Sequence, residues 1–297
     1  ALKAKRALFS RLLYGKIREA MGGKVTSAVS GGGPLGARLG HFFRGVGVTI
    51  LEGYGLTETS PVVCANPHGE HSRLGTVGLP VPGTTLKVID DEGNALPLGE
   101  RGELCVKGPQ VMKGYWQRPE ATDEVIDADG WFKTGDLASI DDRGHLRITG
   151  RKKELIVTAG GKNVSPEILE ESLSTHPLIA NVIVVGDQRP YVGALFTLDA
   201  DMLPDWLAKH GLPQCSPTEA AELPAVRESL EKAVERANKA VSRAESIRKF
   251  RIIDATFTVE NGYVTPSMKL RRRKVIADYA HEVDALYASG EAAKNQE

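Results

Sequence analysis

One stretch limits what this chain can fold into. From Gly130 to Glu170 the sequence reads GWFKTGDLASIDDRGHLRITGRKKELIVTAGGKNVSPEILE. It places an acid in a glycine-flanked turn (Thr134, Gly135, Asp136), a short hairpin over Asp141 to Gly144, a charged cluster (Arg151, Lys152, Lys153, Glu154) and a double glycine (Gly160, Gly161) ahead of a helix. A carboxylate at a strand end can accept hydrogen bonds from the cis hydroxyls of a ribose, which makes Asp136 a candidate ribose ligand. Arg151, one strand later, is placed to reach the same ribose or a phosphate, because its planar fork suits paired acceptors and stays charged. Taken by themselves, these residues also suit a solvated hairpin carrying a surface ion pair.

At 297 residues the chain is long enough for about two domains with a sizeable core. Its 38 Lys and Arg balance its 38 Asp and Glu, so no general basic field draws in nucleic acid and any anionic ligand must be met by local charge. Cys64, Cys105 and Cys215 show neither CxxC spacing nor a neighbouring His suited to zinc, a pattern expected of a reduced, cytoplasmic protein. No apolar run approaches the roughly 20 residues of a membrane span, and the N-terminus lacks a signal-peptide core, so at most a peripheral membrane contact is expected. Such a contact would fall to the first residues. Leu2, Leu8, Phe9, Leu12, Leu13 and Ile17 recur near helical spacing among Lys3, Lys5, Arg6, Arg11, Lys16 and Arg18, a basic amphipathic helix that suits an anionic membrane or an ordinary core with a solvated basic face.

Further along, Lys24 to Ser30 reads as a buried strand, followed by SGGGPLG and a helix carrying Leu39, Phe42 and Phe43. Gly31, Gly32 and Gly33 would let a ligand approach the backbone, or serve only as a strand-to-helix turn. This is not a Walker A loop, since no Gly-Lys-Ser/Thr follows. A second strand, Val48 to Glu52, delivers GYGLTET. From Arg73 to Gly150, short Val, Leu and Ile runs punctuated by Gly and Pro predict a small antiparallel barrel-like subdomain. Within it, GYWQRPEATDEV reads as a loop entering a short helix, with a structural rather than a chemical role. After Gly150 the pattern changes to strand (Glu154 to Val157), helix (Pro166 to Thr175), two strands (Ile179 to Gly186, Tyr191 to Leu198) and helices, an α+β unit of its own. The Pro-studded segment from Ala200 to Pro224 is expected to be a surface helix plus loop. The junction at Arg151 to Lys153 is a natural pivot.

Three blocks in order, GYGLTETSP (Gly53 to Pro61), the Gly130 to Glu170 stretch and NGYVTPSMKLRRR (Asn261 to Arg273), carry a resemblance to the acyl-adenylate-forming enzymes, which include acyl-CoA synthetases, luciferases and peptide-synthetase adenylation domains. TAGGKNVSP and TPSMK are most similar to long-chain fatty-acid CoA ligases. The resemblance implies a partial large adenylate-forming domain, with an α/β layer over residues 1–71 and a small β-barrel subdomain over 72–150, followed by a mobile α+β C-terminal domain over 151–297. It implies ATP, Mg2+ and CoA as cofactor and co-substrates and a fatty acid as substrate. Under it Gly31 to Gly33 wall the adenine and acyl sites, and Tyr54, followed by Gly55, lies against adenine. Thr57 meets a phosphate, Glu58 holds the magnesium, Asp136 and Arg151 take the ribose, and Lys153 is the hinge. Lys269 is brought to the α-phosphate as the substrate carboxylate attacks and pyrophosphate leaves, and Gly160 and Gly161 line the route of the pantetheine arm. Arg271, Arg272, Arg273 and Lys274 suit either the phosphates of CoA or the solvated start of a last helix, Val275 to Tyr287.

The Ser/Thr/Gly-rich phosphate loop of such enzymes has no counterpart in these residues. The expectation is therefore a partner in the missing N-terminal half of the same enzyme, and an apolar face on residues 1–71 that favours a homo-oligomer. Two other functions stay open: transfer of the acyl group to a carrier-protein thiol, and a non-catalytic nucleotide-binding or interaction module.

Overall fold

The computed structural model describes residues 13–266 and 268–291. The chain divides into two compact units, residues 1–153 and 154–297. The first unit opens with α1 (Gly15–Ala20), β1 (Ser27–Ser30), α2 (Ala37–Val46) and β2 (Thr49–Gly55). Of the basic amphipathic pattern, Leu2, Leu8, Phe9 and Leu12 lie outside the described residues. Ile17 packs with Tyr14 against the buried Val46, Val48 and Ile50, whereas Leu13 is exposed. Helix α2 stops at Gly47, whose φ of 100° is open to glycine and strained for other residues. The chain then returns as β2, parallel to β1, with Ser27 opposite Thr49 and Ser30 opposite Glu52. Two antiparallel strands, β3 (Val62–Ala65) and β4 (Leu79–Pro80), complete a sheet of order β1-β2-β3-β4. The strand expected to be buried over Lys24 to Ser30 is shorter and has no buried residue: β1 is the edge of this sheet among the described residues and leaves Val29 80% exposed.

The second sheet of this unit is built from β5 (Thr85–Ile89), β6 (Gly102–Lys107), then α3 (Pro119–Val125), β7 (Phe132–Ile140) and β8 (Leu146–Arg151). It is an antiparallel meander of order β5-β6-β7-β8. The expected barrel is not closed: among the described residues its edge strands β5 and β8 do not pair, and β8 instead meets Gly78 through Leu146. Leu104, Val106, Ala138 and Leu146 from this sheet pack with Val63 and Cys64 from β3, so one core joins the two sheets.

The second unit runs β9 (Ile156–Val157), β10 (Asn163–Val164), α4 (Pro166–Leu173), β11 (Ile179–Val185), β12 (Val192–Leu198), α5 (Leu203–Lys209), α6 (Pro217–Ala221), α7 (Pro224–Asn238), β13 (Ile247–Ile252), α8 (Arg272–Asp278) and α9 (Ala280–Glu291). Its sheet has the order β11-β12-β13, with β12 antiparallel to β11 and parallel to β13. Every residue of β12 is buried, as a central strand covered on both faces must be. On one face Val184, Ala194 and Phe196 pack with Leu169 of α4 and Leu230 of α7. On the other, Ile183 and Leu195 pack with Val275 of α8 and Leu286 of α9.

Three expectations need correcting. The Pro-studded segment, expected as a surface helix plus loop, holds two helices that reach the core: Leu203, Leu207 and Ala220 are buried, and Pro204 and Pro217 sit in the first turns of α5 and α6, where a missing N–H costs nothing. Strand β13 was not anticipated at all. The last helix breaks at Tyr279, which leaves helical geometry at φ −106° and ψ 27°. No helix among the described residues is long and apolar enough to cross a membrane. The three cysteines are unbridged, with Cys64 and Cys105 buried in the first unit and Cys215 half-buried in the second.

Candidate functional site

The register of β7 carries Asp136 into place. Between Glu103 opposite Leu137 and Cys105 opposite Lys133, β7 holds two residues more than β6, and a second shift separates Leu137 opposite Gly150 from Ala138 opposite Ile148. Such bulges bend a strand and re-aim its side chains. Gly135, at φ 70°, supplies the left-handed residue the bulge needs. The Thr134 hydroxyl closes the gap by donating to the Leu104 carbonyl (2.9 Å) and accepting from the Asp136 amide (3.1 Å). Asp136 is only 3% exposed, and Arg151, its cross-strand neighbour, brings Nε to 3.1 Å from Oδ1. The solvated surface pair is therefore not what forms, because one partner is buried.

Tyr54 reaches the same carboxylate from the other sheet, its hydroxyl 2.5 Å from Asp136 Oδ2. Burial first, then the Asp136 charge and the hydrogen bond to it, push the phenol above its usual range, so it remains a donor. Gly55, next in line, is needed sterically: a Cβ there would lie 1.9 Å from the Pro61 carbonyl oxygen. That carbonyl accepts from the Leu56 amide (2.9 Å) and from the hydroxyl of the buried Thr59 (2.6 Å), which closes the turn carrying Thr57 and Glu58. Gly31, Gly32 and Gly33 are exposed at the end of β1, and a Cβ at Gly31 would stand 3.6 Å from the Gly53 carbonyl, in ordinary contact. The C-terminal end of β2 thus meets the bulge of β7, beside the end of its parallel neighbour β1, a position of the kind where open α/β sheets hold ligands.

Glu58 has a partner that sequence reasoning missed. The Tyr115 hydroxyl lies 3.0 Å from Glu58 Oε1, and the Met112 amide donates to the Glu58 carbonyl at 2.8 Å, so the segment read as purely structural braces this acid. Burial first, and then Glu58, raise the Tyr115 phenol above its usual range. No local spacing could have revealed the pair, since 57 positions separate its members. Thr57 is exposed beside it. Among the described residues no group of three or more His, Cys, Asp or Glu is arranged to hold a metal. A lone, braced carboxylate fits Mg2+, which takes one or two protein oxygens and fills the rest of its shell with phosphate and water.

The remaining candidates belong to the second unit or its border. Lys153 is exposed in a short turn beside Lys152, which is tied to Asp91 (2.9 Å) and Glu103 (3.1 Å). Gly160 and Gly161 form the tip between β9 and β10. Gly161 has φ 74°, its amide donates to the Thr158 carbonyl at 2.8 Å, and no heavy atom lies within 4 Å of a Cβ placed there. Lys269 is exposed on a tight hairpin: its amide donates to Thr265 Oγ1 (3.0 Å), its carbonyl accepts from the Thr265 amide (2.8 Å), and Met268 before it is held at φ 60°. The basic run after it splits by role. Arg272 turns inward to Glu170 and the Val184 carbonyl and Lys274 pairs with Asp278 (2.6 Å), while Arg271 and Arg273 are exposed.

Two family models match the chain, AMP-binding enzyme over residues 4–116 and AMP-binding enzyme C-terminal domain over residues 153–291. Long-chain-fatty-acid--CoA ligase FadD15 of Mycobacterium bovis is 50% identical over 287 residues, which are 96% of this chain and 46% of that protein. Long-chain-fatty-acid--[acyl-carrier-protein] ligase AEE15, chloroplastic, of Arabidopsis thaliana is 36% identical over 295 residues, 95% of this chain and 38% of that protein. The chain spans about half the length, or less, of the curated relatives it matches. Among solved structures, the A-PCP didomain of carboxylic acid reductase from Segniliparus rugosus in complex with AMP is similar at a TM-score of 0.75, with 29% identity over 98% of this chain and 40% of that one.

Proposed function

The chain belongs to the AMP-binding enzyme family, and on that premise we propose that it serves the AMP-forming activation of a long-chain fatty acid and its transfer to CoA. The fatty-acid carboxylate attacks the α-phosphate of ATP, pyrophosphate leaves, and the thiol of CoA then displaces AMP from the acyl-adenylate. The substrate supplies the nucleophile, so the protein's task is positioning and charge neutralisation. In this reading Asp136 and Arg151 hold the ribose, the Tyr54 ring lies against adenine with Gly31 to Gly33 walling the pocket, and Thr57 meets a phosphate. Glu58 would hold the Mg2+ that neutralises the phosphates. The second unit pivots at Lys153, delivering Lys269 to the α-phosphate in the first half-reaction and opening the Gly160–Gly161 turn to the pantetheine arm in the second.

The observation that supports this most is the buried Asp136 carboxylate at the strand ends, fixed by donors from two separate elements. A protein keeps a carboxylate 3% exposed at a sheet end only where fixed donors offset its desolvation. Titration of AMP onto this chain followed by calorimetry tests the site: binding that weakens at least about tenfold in Asp136→Asn is expected, at 1.5–3 kcal/mol for hydrogen bonds to a charged group. Failure to bind AMP would overturn the reading. Fatty-acid-dependent exchange of pyrophosphate into ATP, lost in Lys269→Ala, tests the chemistry.

A second acceptor is supported by one observation, the similarity to a ligase that the Arabidopsis protein's name assigns to acyl carrier protein. Competition between CoA and a phosphopantetheinylated carrier for one pool of acyl-adenylate separates the two.

A further inference from the structure

Lys269 stands on a hairpin whose limbs are joined by the Thr265 amide to the Lys269 carbonyl (2.8 Å), the Val264–Leu270 bridge and the Arg271 amide to the Tyr263 carbonyl (2.7 Å). The outgoing limb is rooted by Val264, which is buried among Ile183, Phe257 and Val275. The return limb carries Lys269 itself, then Leu270 and two arginines. Beyond Leu270, which packs against the same core, that limb is held by the second arginine. Arg272 places Nη1 on Glu170 Oε1, from α4, and Nη2 on the Val184 carbonyl, from β11. Glu170 Oε1 also accepts from the Val184 amide at 2.7 Å. One guanidinium and one carboxylate thus satisfy both backbone groups of Val184, at the point where β11 passes α4.

Arg272 and Glu170 are both mostly covered, with side chains 17% and 21% exposed. A covered, charge-assisted fork of this kind is stronger and more direction-specific than a surface pair. Its neighbours in sequence do nothing similar, since Arg271 and Arg273 are exposed. The run Arg271 to Lys274 is therefore not a uniform basic patch.

We propose that Arg272, locked by Glu170 and the Val184 carbonyl, is the positioning residue for Lys269. It fixes the return limb of the hairpin three residues beyond the lysine, so that Lys269 is presented from a rigid mount. A lysine has four rotatable side-chain bonds and gains nothing by charge alone unless its backbone is held. The assignment to catalysis rests on the adenylation reading above; the clamp does not.

The test is hydrogen exchange on the whole chain, comparing the bonded amides of Thr265, Met268, Lys269 and Arg271 with those of α7 in the same unit. In Arg272→Gln the hairpin amides are expected to exchange at least tenfold faster while α7 is unchanged, with Arg272→Lys in between because it keeps the Glu170 charge partner and loses the fork. Hairpin exchange within twofold of the parent, or acceleration of the hairpin and α7 together in both Arg272→Gln and Glu170→Gln, overturns the proposal. If Arg272→Gln loosens the whole unit, Glu170→Gln is read on the same amides by the same criteria, since it removes the charge and keeps an acceptor for the Val184 amide. Hydrogen exchange needs no turnover. A chain with a clamp-dependent hairpin and no pyrophosphate exchange overturns adenylation alone, and one with Lys269-dependent exchange and a clamp-independent hairpin overturns the clamp alone.

Discussion

The Tyr54 hydroxyl and Asp136 Oδ2 stand 2.5 Å apart across 82 positions of sequence, tying the end of one sheet to the bulge of another. Tyr54→Phe keeps the ring and removes the donor. A hydrogen bond to a charged group contributes about 1.5–3 kcal/mol. The variant is expected to melt a few degrees lower and to bind AMP roughly tenfold more weakly, read by calorimetry and AMP titration. No change in either would mean that the phenol does not hold the carboxylate.

Gly55 and Gly32 make opposite demands. At Gly55 a Cβ would strike the Pro61 carbonyl oxygen at 1.9 Å, whereas at Gly32 (φ 84°) nothing lies within 4 Å. Gly32→Ala is expected to cost about 1–2 kcal/mol, the left-handed penalty alone. Gly55→Ala should cost more than about 3 kcal/mol because backbone must move. Chemical denaturation of both decides it, and equal losses would contradict the steric account.

Acidification should weaken the second unit through His176. Its Nδ1 accepts from the Leu178 amide (3.2 Å), leaving Nε2 to donate to Ser229 Oγ (3.1 Å). Burial first, and then the nearby Arg236, lower its pKa. With the folded value below the unfolded value of about 6.5, the contribution is complete above that pH and is lost as pH falls through the folded pKa. The thermal midpoint should decline below about pH 6.5 with a shallower slope in His176→Gln. Parallel slopes would rule this out.

The β1 edge predicts self-association. Val29 and Val25 are exposed on or beside β1, a parallel strand that among the described residues is paired on one side only, an arrangement that invites another chain. Sedimentation velocity at rising concentration should show larger species, diminished in Val29→Asp. A single monomer boundary throughout would count against it.

Much of this fold was legible because local rules carried it. The segments Ile179 to Gly186 and Tyr191 to Leu198 read correctly as the strands β11 and β12, and the helix carrying Leu39, Phe42 and Phe43 as α2. Asp136 and Arg151 were expected near one another because a hairpin of known length makes them cross-strand neighbours. What escaped was set by distant partners. Strand β13, IRKFRI, shows its alternation only beside β12, some 50 residues earlier in sequence, and its Arg and Lys resemble a solvated loop until the pairing is seen. Prolines at 204 and 217 read as loop punctuation although each starts a helix. Tyr115 carried no mark of its bond to Glu58. In the run Arg271 to Lys274 only helix phase and the position of Glu170 decide which arginine turns inward, and neither is visible in composition.

The uneven burial of the three thiols gives the chain a built-in reporter. Burial pushes Cys64 up to about 12, and Cys105, where burial leads and Glu103 adds, up to about 11, so near neutral pH both are protonated as well as covered. Cys215 alone is partly accessible. A maleimide dye added to the unaltered protein should therefore attach at one place, in the second unit, and its polarisation would follow the motion of that unit during titration with nucleotide, without any engineered cysteine.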